Sequence, residues 1–194
     1  MTPSADSVSG TPPKQRQRRH EPDRRERLIN VALAVIAERG VAGTSHRRVA
    51  AAAEVPLGSM TYHFAGMDEL LTAAFTRLAE EAADAFDQAM LQARTPEEAV
   101  EAIVGLITGT VLNRPDALVA TYELYSLAAR RPEIRTITNA WMARSRAALE
   151  RHFEPETTVM IDAMIEGLTM HRALSLDPMP VSTVREAVRR ITTT

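Results

Sequence analysis

The chain has 194 residues, no cysteine and a formal charge of −2, which suits one domain or a small and a larger one sharing a helix, and excludes disulfide frameworks, thiolate metal sites and cysteine nucleophiles. Through Gly66 there are ten Lys or Arg against six Asp or Glu, whereas the remainder carries thirteen against nineteen, so the front of the chain is expected to meet a polyanion and the rest is not. The longest apolar run, Ala102 to Leu112, is broken by Gly and Thr and too short to span a bilayer, and no signal-peptide core precedes it; a cytoplasmic, nucleoid-associated protein without membrane contact is expected.

Residues 1–22 are rich in Pro, Ser and Thr and hold the basic stretch KQRQRRH at Lys14 to His20, the composition of a disordered basic arm. From Asp23 the apolar residues Leu28, Ile29, Ala32, Leu33, Val35 and Ile36 recur at helical spacing up to Gly40, a stop signal. Thr44 or Ser45 caps a short second helix with Val49, Ala50 and Ala53 inward and Arg47 and Arg48 outward. Pro56 opens a short third helix, whose Met60 and Phe64 face inward. A long amphipathic helix is predicted from Met67 to about Gln92, followed by helices over Pro96–Leu112, Pro115–Arg130, Pro132–Phe153, Pro155–Ser175 and Val181–Ile191. No period-two alternation suggests a strand, so the expectation is all-α with about nine helices.

The short segment VPLGSMTYHF, Val55 to Phe64, concentrates Ser, Thr, Tyr and His on one helix. Catalysis fits it poorly. The chain has no nucleophile elbow, His-Glu-x-x-His pair, phosphate loop or dinucleotide fingerprint, and its histidines lack ligand spacing, so no enzyme, metal or cofactor is expected. Two short helices around a turn at Glu54 to Pro56 instead suit a helix-turn-helix: Ser59, Thr61 and Leu57 reach base edges, Thr44, Arg47, Tyr62 and His63 meet phosphate, Ser45 and Arg48 join the same DNA-binding surface, and Gly58 permits close backbone approach.

Arg24 to Leu71 closely resembles the N-terminal DNA-binding region of TetR-like transcriptional regulators. The matching residues are Glu38-Arg39-Gly40, Thr44-Ser45, Arg47, Val49-Ala50, Val55, Gly58-Ser59, Tyr62-His63-Phe64 and Asp68-Glu69-Leu70-Leu71. There are three departures. Glu54 stands where the family commonly has Gly, implying a turn less tightly left-handed; Met67 replaces a frequent Lys; Arg48 replaces a frequent acid. The resemblance implies a three-helix DNA-binding bundle (residues 23–66) joined by the long helix to an effector-binding and dimerisation body (67–194). It further implies a homodimer on a palindromic double-stranded operator, most often a repressor released by a small apolar or amphipathic molecule. A helical module acting through protein partners is the alternative.

In the body, Phe86, Met90, Tyr122, Tyr125, Trp141 and Met142 are the large side chains expected to line an effector pocket. Gly105 and Gly109 are expected to let a neighbouring helix approach or to leave room for the ligand. The stripe Val184, Val188 and Ile191, with Ile161, Met164, Ile165 and Leu168 of the preceding helix, is expected to form a symmetric four-helix dimer seam.

Overall fold

The computed structural model describes residues 23–109 and 115–193; the proposed basic arm and the expected end of the fifth helix lie outside them. Among the described residues there are nine helices and no strand: α1 (Arg24–Arg39), α2 (His46–Ala52), α3 (Leu57–His63), α4 (Met67–Gln92), α5 (Pro96–Thr108), α6 (Pro115–Arg130), α7 (Arg135–Leu149), α8 (Pro155–Leu174) and α9 (Val181–Thr192). None is long and apolar enough to cross a membrane.

Local chemistry sets most of the boundaries. Gly40, at φ +68°, ends α1 in a conformation that suits glycine. Ser45, rather than Thr44, caps α2: its Oγ accepts the Arg48 amide at 3.3 Å. At α5 the cap is reciprocal, Thr95 Oγ1 accepting the Glu98 amide at 3.2 Å while the Glu98 carboxylate accepts the Arg94 amide at 2.7 Å. The seventh helix starts three residues later than its proline predicts, because Pro132 to Ile134 form a turn instead.

The turn between α2 and α3 corrects one expectation. Glu54 has φ +54°, the only positive φ at a non-glycine among the described residues. The Val55 amide reaches the Ala50 carbonyl at 3.0 Å and the Glu54 amide the Ala51 carbonyl at 3.1 Å. That paired pattern is a Schellman motif with Glu54 in the place that glycine usually takes. The left-handed turn is therefore kept despite the side chain, at a cost of roughly 1–2 kcal/mol relative to glycine.

Two hydrophobic cores organise the molecule. The first joins α1, α2, α3 and the front of α4 to α6 and the start of α7, through Leu28, Ile36, Val49, Met60, Phe64, Leu70, Phe75, Leu124 and Ile137. The second joins the end of α4 to α5, α7, α8 and α9. The expected dimer seam dissolves here. Val184, Val188 and Ile161 are all 0% exposed within one chain, because they pack in the same cluster as Val100, Ile103, Val104 and Ile107 of α5. Ile165 is buried with them, and Met164, Leu168 and Ile191 are partly buried against the cluster. The apolar stripe of α9 is thus intrachain core. Gly105 does not mark a close approach either, since a Cβ there would meet nothing within 4 Å, and Gly109 is the C-cap of α5.

Candidate nucleic-acid interface and effector cavity

The α2–turn–α3 unit is held from behind. Met60 and Phe64 are buried in the first core, the Arg25 guanidinium lies 5.1 Å from the Phe64 ring centroid, and Arg27 of α1 donates to the carbonyl of Ala53. Fixing these inward residues leaves the opposite face of α3 in solvent. Leu57, Gly58, Thr61 and Tyr62 are exposed, Tyr62 to 78% of its surface, and Ser59 and His63 are partly so. The Tyr62 and His63 rings meet edge to face at 4.9 Å. Thr61 donates to the Gly58 carbonyl at 3.2 Å, which leaves its oxygen lone pairs free to accept.

Arg47 projects into solvent beside this face, and none of the described residues binds its guanidinium. Two other expected contacts are already occupied. Thr44 is buried and its hydroxyl donates to the Gly40 carbonyl at 2.8 Å; it fastens the α1–α2 turn rather than presenting a donor to phosphate. Arg48 is exposed but its guanidinium holds the Gly43 carbonyl. Met67 is half-buried against the first core, which accounts for an apolar residue where a lysine is frequent.

A cavity of about 450 Å³ opens where the two cores part, a volume within the range of small-molecule sites. Its walls come from five helices: Asn30, Leu33 and Ala34 of α1; Leu78, Glu81, Ala82 and Ala85 of α4; Asp116 to Leu118 and Ala120 to Tyr122 of α6; Trp141 of α7; and Ile165, Glu166, Thr169 and Met170 of α8. Short side chains make the space. Ala34, Ala82, Ala85, Ala117 and Ala120 leave room where α1, α4 and α6 face one another.

Of the six large residues expected here, Tyr122 and Trp141 line the cavity. Tyr125 sits one layer behind, stacked on Trp141 at 6.1 Å between centroids and donating to Glu166 at 2.8 Å. Phe86 and Met90 are buried in the second core instead, because α4 has turned them toward α5 and α7 by that point. Met142 is half-buried and not part of the lining. The polar wall, Glu81, Asp116, Glu166 and Thr169, escaped notice because single acids at core-facing positions of amphipathic helices look like ordinary surface residues in a one-dimensional pattern.

One contact ties this cavity to the α1–α2–α3 bundle. Glu123, next to Tyr122 on α6, accepts the Val41 amide at 2.9 Å, just beyond the end of α1. It fits so closely that a Cβ on Gly40 would lie 2.9 Å from its Oε1. No group of three His, Asp or Glu is arranged to hold a metal among the described residues.

Comparison with known proteins agrees with this geometry at both ends of the chain. Residues 28–74 match the family model of bacterial regulatory proteins, tetR family, and residues 94–194 match that of the tetracyclin repressor-like C-terminal domain. The fold superposes on the crystal structure of a transcriptional regulator from Streptomyces coelicolor A3(2) with TM-score 0.83 at 48% identity, covering 89% of this chain and all of that one. It superposes on the multidrug binding protein EbrR complexed with ethidium with TM-score 0.73 at 31% identity, covering 87% of this chain and 98% of that one. The HTH-type transcriptional regulator BetI of Rhizobium meliloti (strain 1021) is 28% identical over 174 residues, 83% of each chain.

Proposed function

The chain belongs to the TetR family of bacterial transcriptional regulators, and from that premise we propose that it is a repressor released from its operator when a small amphipathic molecule enters the cavity between the two cores. Residues 23–66 are the DNA-binding unit and 67–194 the effector-binding and dimerisation body. Leu57, Ser59 and Thr61 face base edges in the major groove, Gly58 allows close approach, and Arg47, Tyr62 and His63 meet phosphate, with Ser45 and Arg48 at the flank.

The observation that carries the reading is the composition of the cavity wall. Asn30, Leu33 and Ala34 belong to α1, the first helix of the DNA-binding bundle, so an occupant touches that bundle directly. Coupling then runs through α1 and α6 as well as along α4. A ligand that displaces α6 carries Glu123 away from Val41, and α1 with α2 and α3 loses a brace on one side. In a dimer the recognition helices must lie about 34–36 Å apart to enter successive major grooves, so a small rotation of each bundle is enough to weaken binding.

Dimerisation is assigned to the outer face of α8, where Met160, Ala163, Gly167, His171 and Leu174 form a stripe at helical spacing. Met160 and Leu174 are 48% and 68% exposed, and the bare Gly167 backbone allows a second helix to approach closely. Two copies paired there across a two-fold axis bury the stripe, and the same symmetry relates their α3 helices, matching an inverted-repeat operator.

The test begins with selection of bound genomic fragments to obtain the operator. EbrR has been solved with ethidium, malachite green and proflavin, which makes those compounds the first effector probes here. A compound that binds the body should weaken operator affinity, and saturating operator should weaken the compound by the same factor. Full affinity for operator with the cavity filled would overturn the release mechanism while leaving DNA binding intact.

A further inference from the structure

The charged side chains in the cavity lining are all acidic. Among the described lining residues are three acids, Glu81, Asp116 and Glu166, and no Lys, Arg or His. Glu81 stands on the exposed side, 3.9 Å from Arg77. Glu166 is half-buried in the lining, and its partner is the neutral Tyr125 hydroxyl, which donates to it at 2.8 Å. Asp162, one turn earlier on α8, is already served by Arg146 at 3.0 Å. No cation among the described residues pairs with Glu166.

Two further polar atoms in the lining lack partners. The Tyr122 hydroxyl and Thr169 Oγ1 are buried and neither is hydrogen-bonded among the described residues. Buried polar groups are otherwise nearly always satisfied, and each orphan costs free energy until something fills it. Trp141 and Tyr122 are in the same lining, and aromatic rings attract positive charge through their negative faces. A half-buried carboxylate, two aromatic rings and two unpartnered hydroxyls line one space.

We propose that the cavity selects organic cations: an aromatic or amphipathic molecule with one positive charge, the charge seated beside Glu166 and the apolar body against Trp141, Leu33 and Leu78. This deepens the effector reading above and rests on it. Anionic effectors are disfavoured by Glu166, with which no cation among the described residues pairs, and neutral ones leave it uncompensated. Burial holds the Glu166 carboxyl above the usual glutamate range, the Tyr125 hydrogen bond opposes this, and the nearby Asp162 charge adds to the rise. A bound cation favours the ionised form, so cation affinity increases with pH from the ordinary carboxylate range upward until Glu166 is ionised without help. The other charged or titratable groups in the lining are Tyr122 and Asp116 of α6 and Glu81 of α4, the last paired with Arg77; behind them lie Tyr125 and the Arg146–Asp162 pair, and α1 contributes no charged group, only Asn30, Leu33 and Ala34.

The experiment compares 10-methylacridinium with acridine, which at pH 8 is neutral and nearly the same shape, by calorimetric titration of the full chain. The wild-type protein should bind the cation at least tenfold tighter. Glu166→Gln should weaken the cation about tenfold, leave acridine within twofold and flatten the pH dependence, with a thermal melt showing the variant folded. The comparison of the two probes on the unaltered chain stands even if the variant does not fold. Equal binding of the two probes, or a folded Glu166→Gln chain that keeps the preference, overturns cation selection and leaves the cavity as an effector site. Failure to bind either probe overturns both readings.

Discussion

The two hydrophobic cores differ in what they touch. The first holds the recognition unit from behind and also supplies Leu33, Leu78, Ala117, Ala120 and Trp141 to the cavity wall; the second contributes Ile165 alone among the lining residues. The second is instead a keel, tied by polar clasps such as the paired Arg185–Glu101 contacts at 2.8 and 3.0 Å between α9 and α5. A ligand in the cavity therefore touches mainly the packed unit that presents α3, whereas the keel carries the α8 stripe proposed for dimerisation. On the proposed reading, sensing and DNA binding share one core, and assembly has the other.

The harshest way to break that division is a charge in the keel. Val188→Asp buries an unpaired carboxylate at a position with no exposure, and the expected loss of stability is roughly 3–5 kcal/mol. Hydrogen exchange should show α5, α8 and α9 losing amide protection while α1 to α3 retain theirs. Loss of protection throughout would mean that the two cores unfold as one unit.

A milder change acts on the link between cavity and recognition unit. Glu123→Ala removes a charge-assisted bond to the Val41 amide, with an expected cost of about 1.5–3 kcal/mol in stability. Its diagnostic effect is on coupling: operator affinity measured by fluorescence anisotropy should respond less to a bound effector than in the wild type. An unchanged response would place the coupling entirely on α4.

The third change runs in the stabilising direction. Glu54→Gly relieves the left-handed backbone at φ +54° and should raise stability by about 1 kcal/mol in a urea melt, within the first core only. The smallest effect is expected from Arg47→Ala, which should leave the melt unchanged, weaken specific and random duplexes alike and lower the salt slope by about one. A sequence-dependent loss would make Arg47 a base reader instead.

Helix identity and most helix ends were legible in the residues because their signals are local: Pro at the first turn of α5, α6 and α8, Thr95 and Ser45 as caps, and Gly40 as a stop. The recognition unit was legible for the same reason, since about twenty consecutive residues build it. The body was not. An apolar stripe such as Val184, Val188 and Ile191 says that a face is covered and is silent about what covers it; α5, some eighty residues earlier, turned out to be the cover. Phe86 and Met90 misled because large side chains fill space, whereas a cavity is made where they are missing. The informative letters were the alanines at 82 and 85 of α4, facing those at 34, 117 and 120.

Placing the cavity at the seam has a consequence for how such a regulator diverges. Asn30, Ala34, Glu81, Ala82, Ala85, Thr121, Tyr122, Glu166 and Thr169 line the space yet belong to neither core. Exchanging them alters what the cavity accepts without removing a side chain from the packing that keeps the chain folded, so new specificities lie within single substitutions of this one. Recruitment to a new chemical signal becomes a matter of repainting a wall while the beams on either side remain in place.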